Sequence, residues 1–380
     1  MKLEPLGASP VPQIACPYAS LAVLGAGSWG TALAATARNA GVAVTLWGRS
    51  DNTIQTITTR HENTRYLPGV TLPKGLMATT DMAAAVQGAE AVVLVVPSSQ
   101  LREVARQLAG VIAPGTPVAV CAKGIERDTG LLMTQIAEAE LGPRPVGVLS
   151  GPTFARETAL GHPTAATVAF PFSYADRISP EESTAARFAV SFSTEAFRTY
   201  VSDDVTGVEI GGAVKNVIAI ACGMMTGAGF AENTRAALIT RGLDEMMQLA
   251  VALGGRRETL TGLSGLGDLS LTCSSLTSRN MALGEQLGRG IARGDCFEGR
   301  PVVVEGEHNA VSVTDLAGRL GLAMPICEAV RAIVVGGRPI GETFAELWAR
   351  PIESEVRAME LCLDHPASDK AVAALAQRMA

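Results

Sequence analysis

The sequence predicts an α/β domain with a doubly wound parallel sheet, followed by an all-α domain. Up to about residue 200, short apolar runs alternate with segments of helical periodicity, as in α/β proteins with a parallel sheet. Beyond residue 203, almost all apolar spacing is helical. With 380 residues, 47% of them hydrophobic, the chain can form two cores of ordinary size.

The first domain is defined by short apolar runs that end at glycine, proline or polar residues. We predict strands over Leu21–Leu24, Val42–Trp47, Ala91–Val96, Val118–Ala122, Val146–Leu149, Thr164–Ala169 and Ala196–Val201. Helices are predicted between them, over Thr31–Ala40, Asp81–Gln87, Ser98–Ala109 and Leu131–Leu141. Ser98 or Ser99 is the expected N-cap of the third helix.

The second domain is defined by longer segments with helical periodicity. Helices are predicted over Val205–Thr226, Asn233–Leu253, Ser278–Gly290, Glu307–Gly318 and Pro325–Gly336. We therefore expect residues 21–202 to form the α/β domain and residues 203–365 the helical domain. The proline-rich residues 1–20 are expected to be a flexible extension, and residues 366–380 a tail.

The composition argues against several classes of protein. A net charge of −6 disfavours nonspecific nucleic-acid binding, which needs a broad cationic surface. The seven cysteines are scattered without a Cys-x-x-Cys pair, so we expect reduced thiols and no metal site. No run approaches the roughly 20 apolar residues of a membrane span, and the N-terminus lacks a signal-peptide pattern. We expect a cytoplasmic protein, and the glycine- and alanine-rich helical part favours a homodimer.

A glycine motif follows the first predicted strand. Gly25-Ala-Gly-Ser-Trp-Gly30 lies between a strand and a helix, which is the context of a dinucleotide-binding Gly-x-Gly-x-x-Gly turn. Gly25 allows the tight turn, Gly27 lets the backbone approach a pyrophosphate, and Gly30 lets the helix pack on the strand. The helix N-terminus then offers N–H groups to the anion. The sequence therefore predicts a Rossmann-type dinucleotide site.

The residues after the second strand bear on the choice of cofactor. An acidic residue there would bind the ribose 2′-hydroxyl and repel a 2′-phosphate. The sequence has Arg49 in this place, and an arginine can pair with a 2′-phosphate. We therefore expect NADPH to be preferred and NADH to be possible. The alternative is that Arg49 is a solvated surface residue.

Lys215 is the strongest candidate for chemistry. It lies in Gly211-Gly-Ala-Val-Lys-Asn-Val-Ile-Ala-Ile220, where its helical neighbours Ile218, Ala219 and Cys222 are apolar or small. A lysine on such a face is either desolvated with a partner or open to a site, and burial lowers its pKa toward the range useful for proton transfer. The alternative is a lysine whose ammonium group reaches water past the helix.

Three further segments place polar groups in apolar or glycine-rich surroundings. Lys123 leaves the C-terminal end of a predicted strand, where ligands bind in open α/β sheets, although an ordinary loop lysine is equally compatible. Asp268 follows a glycine turn, and it could instead be a helix N-cap. Arg279 and Asn280 follow Ser278, which could cap a helix. An arginine at a helix start is disfavoured by the helix dipole, so it suggests an anionic ligand.

Taken together, these segments resemble the NAD(P)-dependent glycerol-3-phosphate dehydrogenase family of bacteria over about residues 20–345. The order and spacing of the matching blocks are highly specific. The blocks are Val23-Leu-Gly-Ala-Gly-Ser-Trp-Gly-Thr-Ala-Leu33, Ala122-Lys-Gly-Ile-Glu126, Leu149-Ser-Gly-Pro-Thr-Phe-Ala155, Gly211-Gly-Ala-Val-Lys-Asn-Val-Ile-Ala219, Asn233-Thr-Arg-Ala-Ala-Leu-Ile-Thr-Arg-Gly242, Gly265-Leu-Gly-Asp-Leu269, Ser278-Arg-Asn280 and Val303-Val-Glu-Gly306. The resemblance implies a Rossmann-type N-terminal domain, an all-helical C-terminal domain and a site between them.

The resemblance also implies a role for individual residues. Lys215 matches the proton donor and acceptor. The positions that match substrate contacts are Lys123, Gly151, Thr153, Lys215, Asp268, Thr272, Ser278, Arg279 and Asn280. The positions that match cofactor contacts are Ser28, Trp29, Arg49, Lys123, Ala155, Arg279, Val303 and Glu305, in addition to the glycines Gly25, Gly27 and Gly30.

The implied activity is the interconversion of dihydroxyacetone phosphate and sn-glycerol 3-phosphate by hydride transfer with NAD(P)H, which supplies glycerol phosphate for phospholipid synthesis. Two alternatives remain: a related hydroxyacid or 6-phosphogluconate type dehydrogenase, and a non-catalytic NADP-binding sensor. The blocks around Asp268 and Arg279 favour the glycerol phosphate enzyme. The presence of Lys215, Asp268 and Arg279 together argues against a sensor.

Overall fold

The structure, a computed structural model, describes residues 14–353, 361–364, 373–374 and 376–377. Of the extension predicted over residues 1–20, residues 1–13 lie outside the described residues. Of the tail predicted over residues 366–380, only the two short described pieces can be placed.

The amino-terminal half is built on one eight-stranded sheet. Its strands are β1 (Ser20–Leu24), β2 (Ala43–Trp47), β3 (Met77–Thr79), β4 (Ala91–Leu94), β5 (Val118–Val120), β6 (Val146–Ser150), β7 (Thr164–Ala169) and β8 (Phe197–Ser202). Along β1, Leu21 and Val23 face one apolar core, whereas Ala22 and Leu24 face another. The sheet is therefore covered on both sides, which is why its strands are apolar without alternation.

The strands lie in the order β3-β2-β1-β4-β5-β6-β7-β8, so the direction of the strand order reverses between β1 and β4. In open α/β sheets, such a switch point leaves a crevice at the carboxyl ends of the strands. The predicted parallel sheet is correct for the first six strands, but β7 runs antiparallel to β6. The β6–β7 connection contains only the short helix α6 (Ala155–Ala159), so the chain turns back at the same end of the sheet.

Seven further helices accompany this sheet. They are α1 (Ser28–Asn39), α2 (Asp51–Arg60), α3 (Met82–Val86), α4 (Leu101–Ala109), α5 (Met133–Leu141), α7 (Tyr174–Ile178) and α8 (Thr184–Phe192). Helices α1, α3, α4 and α5 lie where the sequence predicts helices. The predicted cap of α4 is wrong, because Ser98 and Ser99 belong to a 3-10 turn before the helix and neither caps it.

Two elements near the glycine turn are absent from the prediction, namely α2 and β3. Helix α2 is rich in threonine, which does not favour helix, and its buried residues are Thr53, Ile54 and Ile57. The Ser50 Oγ caps it by accepting from the Thr53 N–H. Strand β3 has three residues and adds to β2 at the sheet edge. Both elements depend on packing against the sheet more than on local preference.

The carboxy-terminal half is helical. It contains α9 (Val205–Gly227), α10 (Glu232–Ala252), α11 (Arg257–Leu260), a π-helical turn (Leu263–Gly267), α12 (Asp268–Ser274), α13 (Arg279–Gly288), α14 (Glu305–Arg319), α15 (Pro325–Val334) and α16 (Ile340–Trp348). The short strands β9 (Ile352–Glu353) and β10 (Cys362–Leu363) pair antiparallel after them. The five predicted helices correspond to α9, α10, α13, α14 and α15, whereas α11, α12 and α16 are absent from the prediction.

Helix α9 is the centre of this half and packs against α10, α12, α13 and α14. All its residues from Gly207 to Met225 are buried. The expectation that no segment is long and apolar enough to cross a membrane is wrong for α9, which among the described residues is the one helix that meets this test. Its apolar stretch is, however, entirely inside the fold. It is therefore placed as a core helix, with Lys215 midway along it.

Helices α9 and α13 approach each other until backbone touches backbone. A Cβ added to Gly223 of α9 would lie 2.3 Å from a backbone oxygen of α13. A Cβ added to Gly284 of α13 would lie 2.1 Å from a backbone oxygen of α9. The next turn of each helix repeats the contact at Gly227 and Gly288. Glycine is required at these positions for space, and the close contact places the N-terminus of α13 beside the middle of α9.

We predict that Gly284→Ala destabilises the protein, because the added methyl group has no space against α9. Overpacking of this kind lowers the free energy of unfolding by about 1–3 kcal/mol. The matched control is Gly318→Ala in α14, where nothing lies within 4 Å of an added Cβ. There the better helix propensity of alanine should raise stability by up to about 1 kcal/mol. Chemical denaturation measures both, and equal stabilities for Gly284→Ala and the wild type would contradict the close packing.

Candidate active site

The turn between β1 and α1 has the backbone geometry of an anion site. Gly25 has a φ of +130°, and a Cβ added there would lie 2.3 Å from the Val95 carbonyl oxygen. A Cβ added to Gly30 would lie 1.9 Å from the Gly25 carbonyl oxygen, so α1 packs directly on the turn. Around Gly27 the space is open. Helix α1 begins at Ser28 without a side-chain cap, which leaves its first N–H groups available to an anion.

A cavity of about 370 Å³ opens beside this turn. It is lined by the glycine turn, by the residues after β4, by Arg49 and Ser50 after β2, and by Arg65 and Tyr66 from the α2–β3 connection. Two guanidinium groups give the cavity donors suited to a phosphate. The open space at Gly27, the uncapped helix start and these arginines fit a phosphorylated dinucleotide.

Asn63 holds the α2–β3 connection against the glycine turn. It is fully buried, and its Nδ2 donates to the Ala26 carbonyl oxygen at 3.0 Å and to Thr31 Oγ1 at 2.8 Å. Its Oδ1 accepts from the Tyr66 N–H at 3.1 Å. Asn63, Arg65 and Tyr66 are not among the predicted site residues, because their distance in sequence from the glycine motif gives no signal of this contact.

Between the sheet and the helical half, one carboxylate pairs with two lysines. Lys215 Nζ donates to Asp268 Oδ1 at 2.7 Å and to Thr272 Oγ1 at 2.8 Å. Lys123 Nζ donates to Asp268 Oδ2 at 2.7 Å. The side chains of Lys215 and Asp268 are 8% and 3% exposed, and that of Lys123 is 19% exposed. The alternative role of Asp268 as an N-cap is wrong: it is the first residue of α12, and its carboxylate forms ion pairs.

The two glycines that precede Lys215 by one turn make this cluster possible. A Cβ added to Gly211 would lie 2.3 Å from the backbone oxygen of Ser264 in the π-helical turn, which leads directly into Asp268. A Cβ added to Gly212 would lie 3.1 Å from the Cγ of Lys123, which follows β5. Glycines at these two positions thus let α9 approach both segments that carry the partners of Lys215.

The charges in the cluster adjust one another. Burial lowers the pKa of Lys215 to about 8, the Asp268 carboxylate opposes this shift, and the positive charge of Lys123 adds to it. Burial by itself would also lower the pKa of Lys123, but the charge and hydrogen bond of Asp268 outweigh burial and raise this pKa. Burial would raise the pKa of Asp268, but the two ammonium groups outweigh it and hold this pKa below its usual range. Lys215 is therefore the member of the cluster that can exchange a proton near neutral pH.

Asn216 extends the polar cluster toward α13 and α14. Its Nδ2 donates to Glu305 Oε2 at 3.2 Å, and its Oδ1 accepts from Asn280 Nδ2 at 2.9 Å. Asn280 Oδ1 in turn accepts from the Gly306 N–H at 2.8 Å. Asn216 is not among the predicted site residues. An amide next to a candidate catalytic lysine, within an apolar run, is the signal that could have identified it.

The structure places most of the other predicted site residues at the ends of elements. Ser28 and Trp29 start α1, Gly151 and Thr153 follow β6, Ala155 starts α6, Arg279 starts α13, and Val303 precedes α14. Ser278 caps α13, since its Oγ accepts from the Met281 N–H at 3.3 Å. Arg279 is exposed and has no ion-pair partner in the described part of the chain, so its guanidinium is available to a ligand. Among the described residues, no cluster of three His, Cys, Asp or Glu side chains could hold a metal ion.

Two family models match this chain. The model described as the N-terminus of NAD-dependent glycerol-3-phosphate dehydrogenase matches residues 20–174. The model described as the C-terminus of the same family matches residues 204–345. The two matches cover the sheet up to β7 and the helical half from the residue before α9.

Individual proteins of the same description are similar over most of the chain. A glycerol-3-phosphate dehydrogenase (NAD(P)+) from Parvibaculum lavamentivorans is 47% identical over 339 residues, which cover 89% of this chain and 98% of the relative. One from Rhodospirillum rubrum is 47% identical over 335 residues, which cover 88% of this chain and 93% of that relative. The crystal structure of glycerol-3-phosphate dehydrogenase from Coxiella burnetii has a TM-score of 0.80 at 36% identity and covers 88% of this chain and 99% of its own.

We predict that Asp268→Asn destabilises the protein by about 3–5 kcal/mol near neutral pH, because it leaves two buried ammonium groups without a counter-charge. The pKa of Lys215 should then fall below about 8, since the opposing attraction is lost. Between this lowered pKa and about 8, the folded variant binds fewer protons than the folded wild type, so the deficit should shrink as the pH rises toward about 8. Denaturation at a series of pH values measures this, with the exposed Asp128→Asn as control. A deficit that does not change with pH would contradict the assignment.

Proposed function

The chain belongs to the NAD-dependent glycerol-3-phosphate dehydrogenase family, and on this basis we propose that it interconverts dihydroxyacetone phosphate and sn-glycerol 3-phosphate, with NADPH as the preferred cofactor. The observation that carries this proposal is the buried amine of Lys215, with a pKa of about 8, paired with Asp268 between the sheet and the helical half. Such an amine can both donate and accept a proton near neutral pH.

Lys215 acts on the oxygen of the reacting carbonyl. When bound, NADPH supplies the hydride that reduces the ketone carbon. As negative charge develops on the ketone oxygen, the Lys215 ammonium stabilises it and donates a proton from Nζ. In the reverse direction, the neutral amine accepts the proton of the hydroxyl group. General acid–base catalysis of this kind contributes roughly 10²–10⁴-fold in rate.

The Lys215 amine is oriented by Asp268 and Thr272, and its pKa is lowered by the charge of Lys123. Asp268 Oδ1 and Thr272 Oγ1 accept two of the three ammonium hydrogens, which orients the third toward the substrate. Lys123 stays positive and keeps the pKa of Lys215 low. Its charge also favours an anionic substrate over a neutral one.

The substrate phosphate is held at the start of α13 and by the loop after β6. Arg279 offers an exposed guanidinium there, and Asn280 is oriented by its hydrogen bonds with Asn216 and Gly306. We assign Ser278, Gly151 and Thr153 to the same side of the substrate. Anchoring the phosphate provides binding energy that positions the carbonyl next to Lys215.

The cofactor is held by the glycine turn and the cavity beside it. The N–H groups of α1 at Ser28 and Trp29 would hold the pyrophosphate, and Arg49 would pair with the 2′-phosphate of NADPH. We assign Ala155, Val303, Glu305 and the shared residues Lys123 and Arg279 to the nicotinamide half. Glu305 supports this placement through its hydrogen bond with Asn216, the neighbour of Lys215.

Two alternatives make different predictions. A hydroxyacid or 6-phosphogluconate type dehydrogenase would turn over carboxylate substrates better than dihydroxyacetone phosphate. A non-catalytic NADP-binding sensor would bind NADPH without oxidising it. A spectrophotometric NADPH-oxidation assay with a panel of ketone substrates separates all three.

We also propose a homodimer in the cytoplasm whose product enters phospholipid synthesis. The glycine- and alanine-rich helical half supports close association of copies, and the activity proposed here supports the metabolic role. Light scattering of the purified protein at several concentrations tests the dimer, and a monomer at all concentrations would contradict it.

We predict that Lys215→Ala lowers kcat by about 10²–10⁴-fold, because the proton donor is lost. In the wild type, kcat/KM for ketone reduction should fall as the pH rises through about 8, since the ammonium is needed, whereas alcohol oxidation should rise over the same range. Steady-state assays in both directions measure this, with the exposed Lys74→Ala as control. Near-wild-type turnover by Lys215→Ala would remove this residue from the mechanism.

We predict that Arg49→Ala weakens the binding of NADPH far more than the binding of NADH. The reason is that only NADPH carries the 2′-phosphate that pairs with the guanidinium. Equilibrium titration of both cofactors measures the change, with Arg60→Ala, an exposed arginine at the end of α2, as control. A clear preference for NADH in the wild type, unaffected by Arg49→Ala, would contradict this assignment.

A further inference from the structure

Glu209 is a buried carboxyl group to which the proposed reaction gives no task. It lies on α9, less than two turns before Lys215, and is only 6% exposed. Its side chain does not point to the lysine cluster. It reaches instead to the N-terminus of α5, a helix of the sheet domain.

The Glu209 carboxylate caps α5 from the other domain. Its Oε1 accepts from the Thr134 N–H at 2.9 Å, and its Oε2 accepts from the Thr134 hydroxyl at 2.5 Å. The first N–H groups of a helix need acceptors, and residue Leu132, which occupies the N-cap position, has no side-chain oxygen to offer. Glu209 therefore supplies across the domain boundary what a local Ser or Asp would normally supply.

The capped helix is joined by a short, closed segment to Lys123. The segment leaves β5 through Lys123 and folds back on itself, because Ile125 pairs with Leu132 and the Glu126 N–H donates to the Leu131 carbonyl oxygen at 2.9 Å. The side chains of Ile125 and Leu132 belong to the apolar core of the helical half. This segment is thus part of the sheet domain by sequence and part of the helical core by packing.

We propose that Glu209 is a positioning residue that holds the β5–α5 segment against α9 and thereby sets the place of Lys123 relative to Asp268 and Lys215. Glu209 and Lys215 lie on the same helix, so a contact of Glu209 with the segment that carries Lys123 links both lysines to one rigid element. This inference rests on the catalytic role proposed above for Lys215.

A second buried carboxylate provides a matched control. Glu245 of α10 is 3% exposed and accepts from the N–H groups of Ile326 at 2.6 Å and Cys327 at 3.3 Å. It caps α15 in the same manner, but both helices belong to the helical half. Replacing it removes a cap of the same kind without touching the link to Lys123.

The test compares Glu209→Ala, Thr134→Val and Glu245→Ala in the full chain. We expect Glu209→Ala to lower kcat by between about tenfold and about 100-fold, because a small displacement of a catalytic group is that costly. The pKa read from the pH profile of kcat/KM should rise, since Lys123 no longer depresses that of Lys215. The Kd for NADPH should stay unchanged. Thr134→Val should shift kcat and the pH profile in the same direction as Glu209→Ala. The double variant Glu209→Ala/Thr134→Val should have a kcat no lower than that of Glu209→Ala.

Conservative variants separate geometry from charge and from folding. Glutamine at position 209 can still accept from the Thr134 N–H and can donate to the Thr134 hydroxyl, which then acts as the acceptor, and Thr134→Ser keeps the hydroxyl group. Glu209→Gln and Thr134→Ser should therefore restore the wild-type profile. If Glu209→Ala does not fold, the comparison of Thr134→Val with Thr134→Ser decides alone, because Thr134→Val removes the hydroxyl group and Thr134→Ser keeps it. A folded Glu209→Ala or Thr134→Val with wild-type kcat and pH profile would overturn the inference, as would the same kinetic change in Glu245→Ala. If Lys215→Ala itself stays active, the proposed function fails first, which distinguishes the two outcomes.

Discussion

The carboxylate of Asp268 is the constraint on which the rest of this site depends. Two ammonium groups are held out of bulk water beside each other, and neither could stay charged there without a counter-ion. Because each carboxylate oxygen accepts from a different lysine, one aspartate neutralises both. The arrangement leaves Lys215 less basic than Lys123, so the pair divides into a group that exchanges protons and a group that stays positive.

This interaction sets strict demands on the backbone. The end of β5, the middle of α9 and the start of α12 must meet within hydrogen-bond reach. Gly211 and Gly212 make that possible, since a side chain at position 211 would collide with the backbone of the π-helical turn and one at position 212 would press on the stem of Lys123. The glycine contacts between α9 and α13 allow the same close approach of backbones further along α9. Much of the glycine in this chain thus serves close approach between elements rather than flexibility.

Buried carboxylates recur in this fold with two distinct tasks. Asp268 balances charge, whereas Glu209 and Glu245 accept from the N–H groups at helix starts. Burial raises the pKa of both glutamates to about 7, and their hydrogen bonds oppose that rise. A cap supplied from a distant element ties two helices together, which a local cap cannot do. The helical half and the sheet domain are therefore joined by polar contacts as well as by apolar packing.

The sequence by itself determined the features that depend on neighbouring residues. The glycine turn, the apolar strands and the long helix around Lys215 are visible in short windows, because turn geometry and periodicity are local properties. Helix α2 and strand β3 escaped prediction, since their threonine-rich or very short sequences form only against the sheet. Resemblance to a family placed Asp268 and Thr272 at the substrate, but it did not show that Thr272 accepts from the Lys215 ammonium group or that Asp268 also pairs with Lys123.

Only the tertiary structure decided those contacts. Lys123 and Asp268 are 145 positions apart, and Glu209 and Thr134 are 75 apart. No local pattern encodes which buried charge meets which partner, because pairing depends on how the sheet domain and α9 pack. The reversal of β7 and the anchoring of the α2–β3 connection by Asn63 follow from the same cause. Burial and distance are properties of the folded chain, and the sequence supplies only the residues on which they act.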